Sequence, residues 1–288
     1  MFQNSPYLPQ VETAILAATE AAAAVRDLYD RHAAVTYTKG DGSPVTDADL
    51  ASDRIIRRVL AEREPGVPIL TEEGADGTDR LGVDRVWIAD PIDGTQQFVE
   101  RTGNFDVLLA LVEGDRPVVA VALQPTTGLL CVAVAGSGSW TGNEFGGLRP
   151  LNLPGTAPKT PTVGTSVWFG APANLPSVER VAARLGGTVA SVSAIGFTPR
   201  ALLDPRTFDL LLGFRVDGGE MAAWEWDFAV GDLFLHEAGG RLTDLDGRPF
   251  SYNKPIPKIG RGLVAGVHPA LLAPAVAAVT AERANSGL

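Results

Sequence analysis

Apolar residues recur at Val11, Ile15, Ala18, Ala22, Val25 and Tyr29, which places them on one face of a helix. The alanine-rich stretch around them supports a helix over residues 11–30. Residues 36–45 are turn-rich. Thr46 then opens a second helix with Ile55, Ile56, Val59 and Leu60 on its apolar side, and Thr46 with Asp49 has the spacing of a capping box. The pattern changes next to short apolar runs. Residues 67–71, 85–90, 107–113, 118–124 and 129–135 read as strands, linked by turns such as EGDRP and PTTG, and predict an antiparallel meander. Four prolines and Gly155 between residues 149 and 161 mark a boundary, giving an N-terminal α+β part (1–150) and a C-terminal part (151–288). In the second part, strands over 162–167, 188–191, 210–216, 241–243 and 262–265 alternate with helices over 174–185, 227–238 and 269–283. That order predicts a mixed α/β arrangement.

Composition narrows the class. With 45% hydrophobic and 20% charged residues the chain is an ordinary globular protein, which excludes disorder, collagen and coiled coil. At 288 residues it can bury a large core without staples. Its one cysteine, Cys131, excludes an internal disulfide and a Cys-rich zinc module, and the run LLCVAV around it predicts a buried thiol. Lys and Arg number 24 against 34 Asp and Glu, a net charge of −10. Such an acidic chain is a poor partner for a nucleic acid polymer or an anionic membrane. No apolar stretch approaches about 20 residues, so no membrane span is expected. The start, MFQNSPYLPQ, lacks a signal-peptide pattern, and the expectation is a cytoplasmic protein.

Four short segments place acids where a strand ends or a helix begins: Pro44-Val45-Thr46-Asp47-Ala48-Asp49, Thr71-Glu72-Glu73-Gly74, Asp90-Pro91-Ile92-Asp93-Gly94-Thr95 and Trp226-Asp227-Phe228-Ala229. In the third, Pro91 is expected to stop the strand, because proline cannot donate to a ladder. Gly94 can take a positive φ and bring backbone close to a ligand. Thr95 can start a short helix whose first N–H groups suit a phosphate. Oxygen-only ligands rich in carboxylate favour a hard cation such as Mg²⁺. Asp90 between Glu72 and Asp93/Asp227 can bridge two ions, an arrangement that activates water and stabilises a leaving oxygen. His32, His236 and His268 are scattered and form no zinc pattern. Taken singly, each acid also has a purely structural reading. Asp49 serves the capping box, Asp227 an N-cap, Glu72-Glu73 a solvated pair and Asp93-Gly94 a hairpin turn.

Together, from about Lys39 to His268, these segments resemble the inositol monophosphatase superfamily of Mg²⁺-dependent, lithium-sensitive phosphatases, with Gly239-Gly240 following the Trp-Asp motif in the same order. The resemblance implies a layered αβαβα sandwich. It implies a first Mg²⁺ on Glu72, Asp90 and the Ile92 carbonyl, a second on Asp90, Asp93 and Asp227, and a third served by Glu72 and, through water, Asp49. It further implies that Thr95, partnered by Asp49, orients the attacking water, that the Gly94 and Thr95 amides cradle phosphate, and that Glu73 supports. The substrate it implies is a small phosphorylated molecule, and relatives are often homodimers.

Gln96 to Phe105, Glu225-Trp226-Asp227 and Tyr252-Asn253-Lys254-Pro255 are similar to the 3′(2′),5′-bisphosphate nucleotidase branch. Two features depart from that branch. Asp217-Gly218-Gly219-Glu220 stands where it usually has Arg, and residues 197–207 look long. Glu220 occupies the place of an inositol-binding acid. A second phosphate needs Arg or Lys beside the pocket, for which Lys254, Lys258, Arg261, Arg200 and Arg206 are candidates. Trp224 can stack on a base. Inositol-1-phosphatase, histidinol-phosphatase and fructose-1,6-bisphosphatase are the alternatives within the class. A non-catalytic metal- or phosphate-binding protein is the alternative outside it.

Overall fold

A computed structural model describes the chain apart from residues 1, 41, 75–76, 154, 170–171, 191–196, 204–207, 216 and 286–288. Helices α1 (Leu8–Asp30) and α2 (Asp47–Arg63) lie side by side as the outermost layer. A two-stranded ribbon, β1 (Thr36–Thr38) and β2 (Pro44–Thr46), joins them. Next comes a seven-stranded sheet. Its strands are β3 (Ile69–Thr71), β4 (Arg85–Asp93), β5 (Asp106–Glu113), β6 (Arg116–Leu123), β7 (Leu129–Val134), β8 (Gly138–Asn143) and β9 (Gly146–Leu151), in that order. β3 runs parallel to β4, and every other pair is antiparallel. The predicted meander is therefore present and two strands longer, because β8 and β9 extend it.

Period-two alternation sends the two faces of this sheet into different cores. Trp87, Ala89, Val107, Leu109 and Leu111 pack with α1 and α2. Ile88, Leu108, Ala110 and Val112 face the other way and pack with Phe228, Phe234 and Leu235 of α6 (Glu225–Glu237). Cys131 of β7 is buried on that second face, and burial pushes its thiol up to about 12. Beyond α6 lies a five-stranded sheet in the order β11 (Thr188–Val189), β10 (Thr162–Gly164), β12 (Leu210–Phe214), β14 (Gly262–Gly266), β13 (Arg241–Thr243). Helices α4 (Leu175–Arg184) and α7 (Pro269–Asn285) cover its far side through Val178, Val181, Ala275 and Val279. Two further short α-helices are α3 (Thr95–Val99) and α5 (Pro199–Leu203). The result is the expected αβαβα sandwich, with α6 as its central layer. Among the described residues no helix is long and apolar enough to cross a membrane.

Close packing of that central layer depends on Gly231. A Cβ there would stand 2.6 Å from the Phe197 carbonyl oxygen and 2.7 Å from its ring. Gly231→Ala is expected to cost about 1–3 kcal/mol, the usual penalty of overpacking. A thermal melt reads this as a lower Tm, and an unchanged Tm would show that the contact relaxes freely.

Candidate active site

One irregularity in the seven-stranded sheet builds the site. β4 and β5 pair in step as far as Asp90 opposite Leu108, and pairing resumes at Asp93 opposite Asp106, so β4 carries one extra residue. This is a β-bulge. Pro91 does not end the strand as expected. It sits inside the bulge, where its missing N–H is not needed, and β4 runs on to Asp93. Ser52 Oγ donates to the Pro91 carbonyl at 2.8 Å, and Ile92 N donates to Asp90 Oδ1 at 3.0 Å. Gly94 then takes φ 94°, a region open to glycine. A Cβ there would lie 3.1 Å from the Asn104 carbonyl. The chain turns at once into α3.

Thr95, the first residue of α3, donates its hydroxyl to Asp49 Oδ1 at 2.8 Å. Asp49 is buried and held from its other side by the predicted capping box. Thr46 N and Thr46 Oγ1 donate to Asp49 Oδ2 at 2.8 and 2.5 Å. Burial pushes the Asp49 carboxyl up, while the bonds from Thr46 and Thr95 pull it back.

A cavity of about 310 Å³ opens over the bulge. Glu72, Asp90, Asp93 and Asp227 line one side with Ile92, Gly94 and Thr95. Asp90, Asp93 and Asp227 each offer an oxygen within 4.8 Å of the others. Asp227 stands in the first turn of α6, where Trp224 N donates to its Oδ2 at 2.8 Å. Burial pushes the Asp90 carboxyl well up, and Glu72, Asp93 and Asp227 add to the push. Asp227 is raised well up by burial and by Asp93, and Asp93 is pushed up to about 7 by burial and by Asp106. So many carboxylate oxygens close together, those of Asp90 buried and the others partly buried, are electrostatically costly unless a cation sits among them. An all-oxygen donor set of this kind fits a hard divalent metal ion.

The profile of the inositol monophosphatase family matches residues 8–199, two thirds of the sequence. The chain belongs to the inositol monophosphatase family. It is accordingly a phosphoric monoester hydrolase of a metal-dependent family. Among curated relatives, a 3′(2′),5′-bisphosphate nucleotidase CysQ of Aggregatibacter actinomycetemcomitans is 29% identical over 87% of this chain and 90% of its own. A histidinol-phosphatase of Mycobacterium tuberculosis is 34% identical over 73% of this chain and 77% of its own. A solved CysQ of Bacteroides thetaiotaomicron, at 24% identity, superposes with TM-score 0.73 over 91% of this chain and 98% of its own, which shows the family fold.

Against this family background, the structure brings Glu72, Asp90, Ile92, Asp93, Gly94, Thr95 and Asp227 to one cavity wall, with Asp49 behind Thr95. Glu220 is not among the lining residues. Its side chain is 60% exposed and pairs with Lys258 at 3.6 Å. Arg261 lines a separate cleft with Asp244 and Arg283. Lys254 Nζ stands 3.6 Å from Glu225. Arg206 lies outside the described residues. Arg200 does reach the cavity, with its guanidinium bonded to Asp106 Oδ2 at 2.7 Å and Asn104 Oδ1 at 2.9 Å.

Phe197, which opens the long 197–207 segment, lines the cavity. Other groups at the cavity or just behind it carried no sequence signal. Phe169 lines it from a remote segment, and Asp106 is buried outside the lining, beside Arg200. Lys39 reaches across to Glu72 and Glu73 at 2.6 and 2.7 Å. Burial pulls the Lys39 ammonium down, but the two carboxylates outweigh it and hold it charged. Glu73 in turn is pushed up to about 7 by burial against the pull of Lys39.

Proposed function

We propose that the chain is a Mg²⁺-dependent phosphomonoesterase acting on a 3′(2′),5′-bisphosphate nucleotide. The observation that carries this reading is the pairing of two unlike walls in one cavity. The acid cluster faces Phe169, Phe197, Phe228 and the stacked pair Trp224–Trp226, whose ring centroids are 5.1 Å apart at 7°. Carboxylates suit the metal ions that meet a phosphate, and aromatic rings suit a flat base. A polyol finds few acceptors on that second wall, since Glu220 stands outside it. The similarity to a bisphosphate nucleotidase supports the reading. Histidinol phosphate, which also has a flat ring, is the second reading, favoured by the histidinol-phosphatase relative.

In this reading Glu72, Asp90, Asp93, Asp227 and the Ile92 carbonyl hold two Mg²⁺, and Glu72 with Asp49 serves a third. Bound there, Mg²⁺ supplies an acidified water and neutralises phosphate charge. The chain's own part is orientation. The Thr95 proton is committed to Asp49, so the remaining lone pairs of its hydroxyl accept from the attacking water and aim it. First-turn N–H groups of α3, beginning with Thr95 after Gly94, have no helical partner and are available to phosphate oxygens. Arg200, on the cavity wall, is the cation available to a second phosphate, and Lys258, 5.3 Å over the Trp224 ring but outside the lining, stands behind that wall. The intact acids and Thr95 argue against a purely binding role. By the same resemblance the reading includes lithium inhibition, a cytoplasmic setting and a homodimer.

Trp224→Ala tests the aromatic wall. Stacking a base on an aromatic side chain contributes about 1–3 kcal/mol. The variant is expected to raise KM for adenosine 3′,5′-bisphosphate by about five- to a hundredfold, with glycerol 2-phosphate hydrolysis unchanged. Equal losses on both substrates would contradict base stacking.

A further inference from the structure

The wall bearing Trp224, Trp226 and Asp227 is a short segment entering α6, and it is zipped along its length to residues 257–260. Met221 N donates to Gly260 O at 2.8 Å, Ile259 N to Ala223 O at 3.0 Å and Glu225 N to Pro257 O at 2.9 Å. Glu225 lies between two cavity-lining residues yet points away from the cavity, and its side chain is 0% exposed. Its carboxylate accepts two consecutive backbone N–H groups, Asn253 at 2.7 Å and Lys254 at 3.1 Å. Asn253 takes φ 61°, and its side chain closes a ring with Arg80. Nδ2 donates to Arg80 O at 3.0 Å, and Arg80 Nη1 donates to Oδ1 at 2.7 Å. Arg80 Nη2 donates to Lys254 O at 2.9 Å, and Arg80 is itself buried.

We propose that Glu225, with Asn253 and Arg80 behind it, is a clamp that positions Asp227 and the two tryptophans, and so sets metal affinity and the substrate wall. The proposal rests on the metal site of the function proposed above. Asp227 must be held near Asp90 and Asp93 despite their shared charge, and a loose helix start would let it drift away. A carboxylate is the group suited to the hold. It accepts both N–H groups with charge assistance. A glutamine offers one oxygen and turns an NH₂ donor against the other N–H. Outer groups that orient a metal ligand typically carry ten- to a hundredfold in affinity.

The test uses Mg²⁺ alone as probe, read from the dependence of Tm on Mg²⁺ concentration, followed by steady-state kinetics. Glu225→Gln is expected to raise the Mg²⁺ midpoint at least about tenfold and to raise substrate KM, with kcat recovering at saturating Mg²⁺. Asn253→Ala, which keeps the carboxylate, shifts the midpoint in the same direction by a smaller factor and carries the test if Glu225→Gln does not fold. Glu282→Gln makes the same chemical change at a buried glutamate on α7, bonded to Arg180 at 2.8 Å. It is expected to lower the metal-free Tm and leave the midpoint alone. Wild-type midpoints in both Glu225→Gln and Asn253→Ala, whatever their Tm, would overturn the clamp. Absence of any Mg²⁺ shift in the unaltered protein would overturn the metal site itself, and the clamp with it.

Discussion

Asp90→Asn is expected to abolish phosphate release and, at the same time, to raise the melting temperature of the metal-free protein. The two effects have one cause. Asp90 is 2% exposed, at the edge of the bulge, and its charged form is disfavoured by burial and by Glu72, Asp93 and Asp227. Removing that charge relieves repulsion in the metal-free state. Asparagine keeps an oxygen for the Ile92 N–H, so the bulge is preserved. Each kcal/mol recovered is worth about 2–4 °C. With metal and substrate the sign reverses, because in the proposed function a carboxylate that would hold metal is lost. Several kcal/mol of charge stabilisation, at about 1.4 kcal/mol per tenfold, amounts to a fall of about a thousandfold or more. Activity in the variant, or a lower metal-free Tm, would mean that Asp90 serves the fold and not the site.

Thr95→Ala is expected to lower kcat about a hundred- to ten-thousandfold, the range for losing a positioned proton-transfer partner, and to leave the Mg²⁺ midpoint within about twofold. The hydroxyl lies on the cavity wall and donates to Asp49, outside the carboxylate set that could hold metal. Its loss removes a donor from the buried Asp49, so stability is expected to fall by about 1–3 kcal/mol. Thr95→Ser keeps the hydroxyl and should retain most of the turnover. A Thr95→Ala enzyme with unchanged kcat would remove Thr95 from the reaction.

Local chemistry explains what the sequence makes legible. The capping box at Thr46 and Asp49 acts over three residues and forms as read, with Asp49 also serving Thr95. The helices and the apolar strands of the large sheet follow periodicities that burial enforces. β8 and β9 escape that logic. Their segment carries four glycines, and β9 is exposed along much of both faces, so no alternating apolar pattern marks it. β1 is exposed throughout and held by pairing to β2. Pro91 was misleading for a different reason. Proline lacks the donor for a regular ladder, but the bulge dispenses with that donor, and the same bulge aims Asp90 and Asp93 at the cavity. The acid motifs gave one wall. Arg200 and the segment that Phe197 opens were legible as candidates, whereas Phe169 and Lys39 arrive from distant segments through tertiary packing, which no local spacing encodes.

The most direct test of the account is phosphate release from adenosine 3′,5′-bisphosphate, inositol 1-phosphate and histidinol phosphate, each with and without Mg²⁺. Release is expected only with Mg²⁺, with kcat/KM highest for the adenosine bisphosphate. Preference for inositol 1-phosphate would contradict the role given to the aromatic wall, and metal-independent release would contradict the role given to the carboxylates.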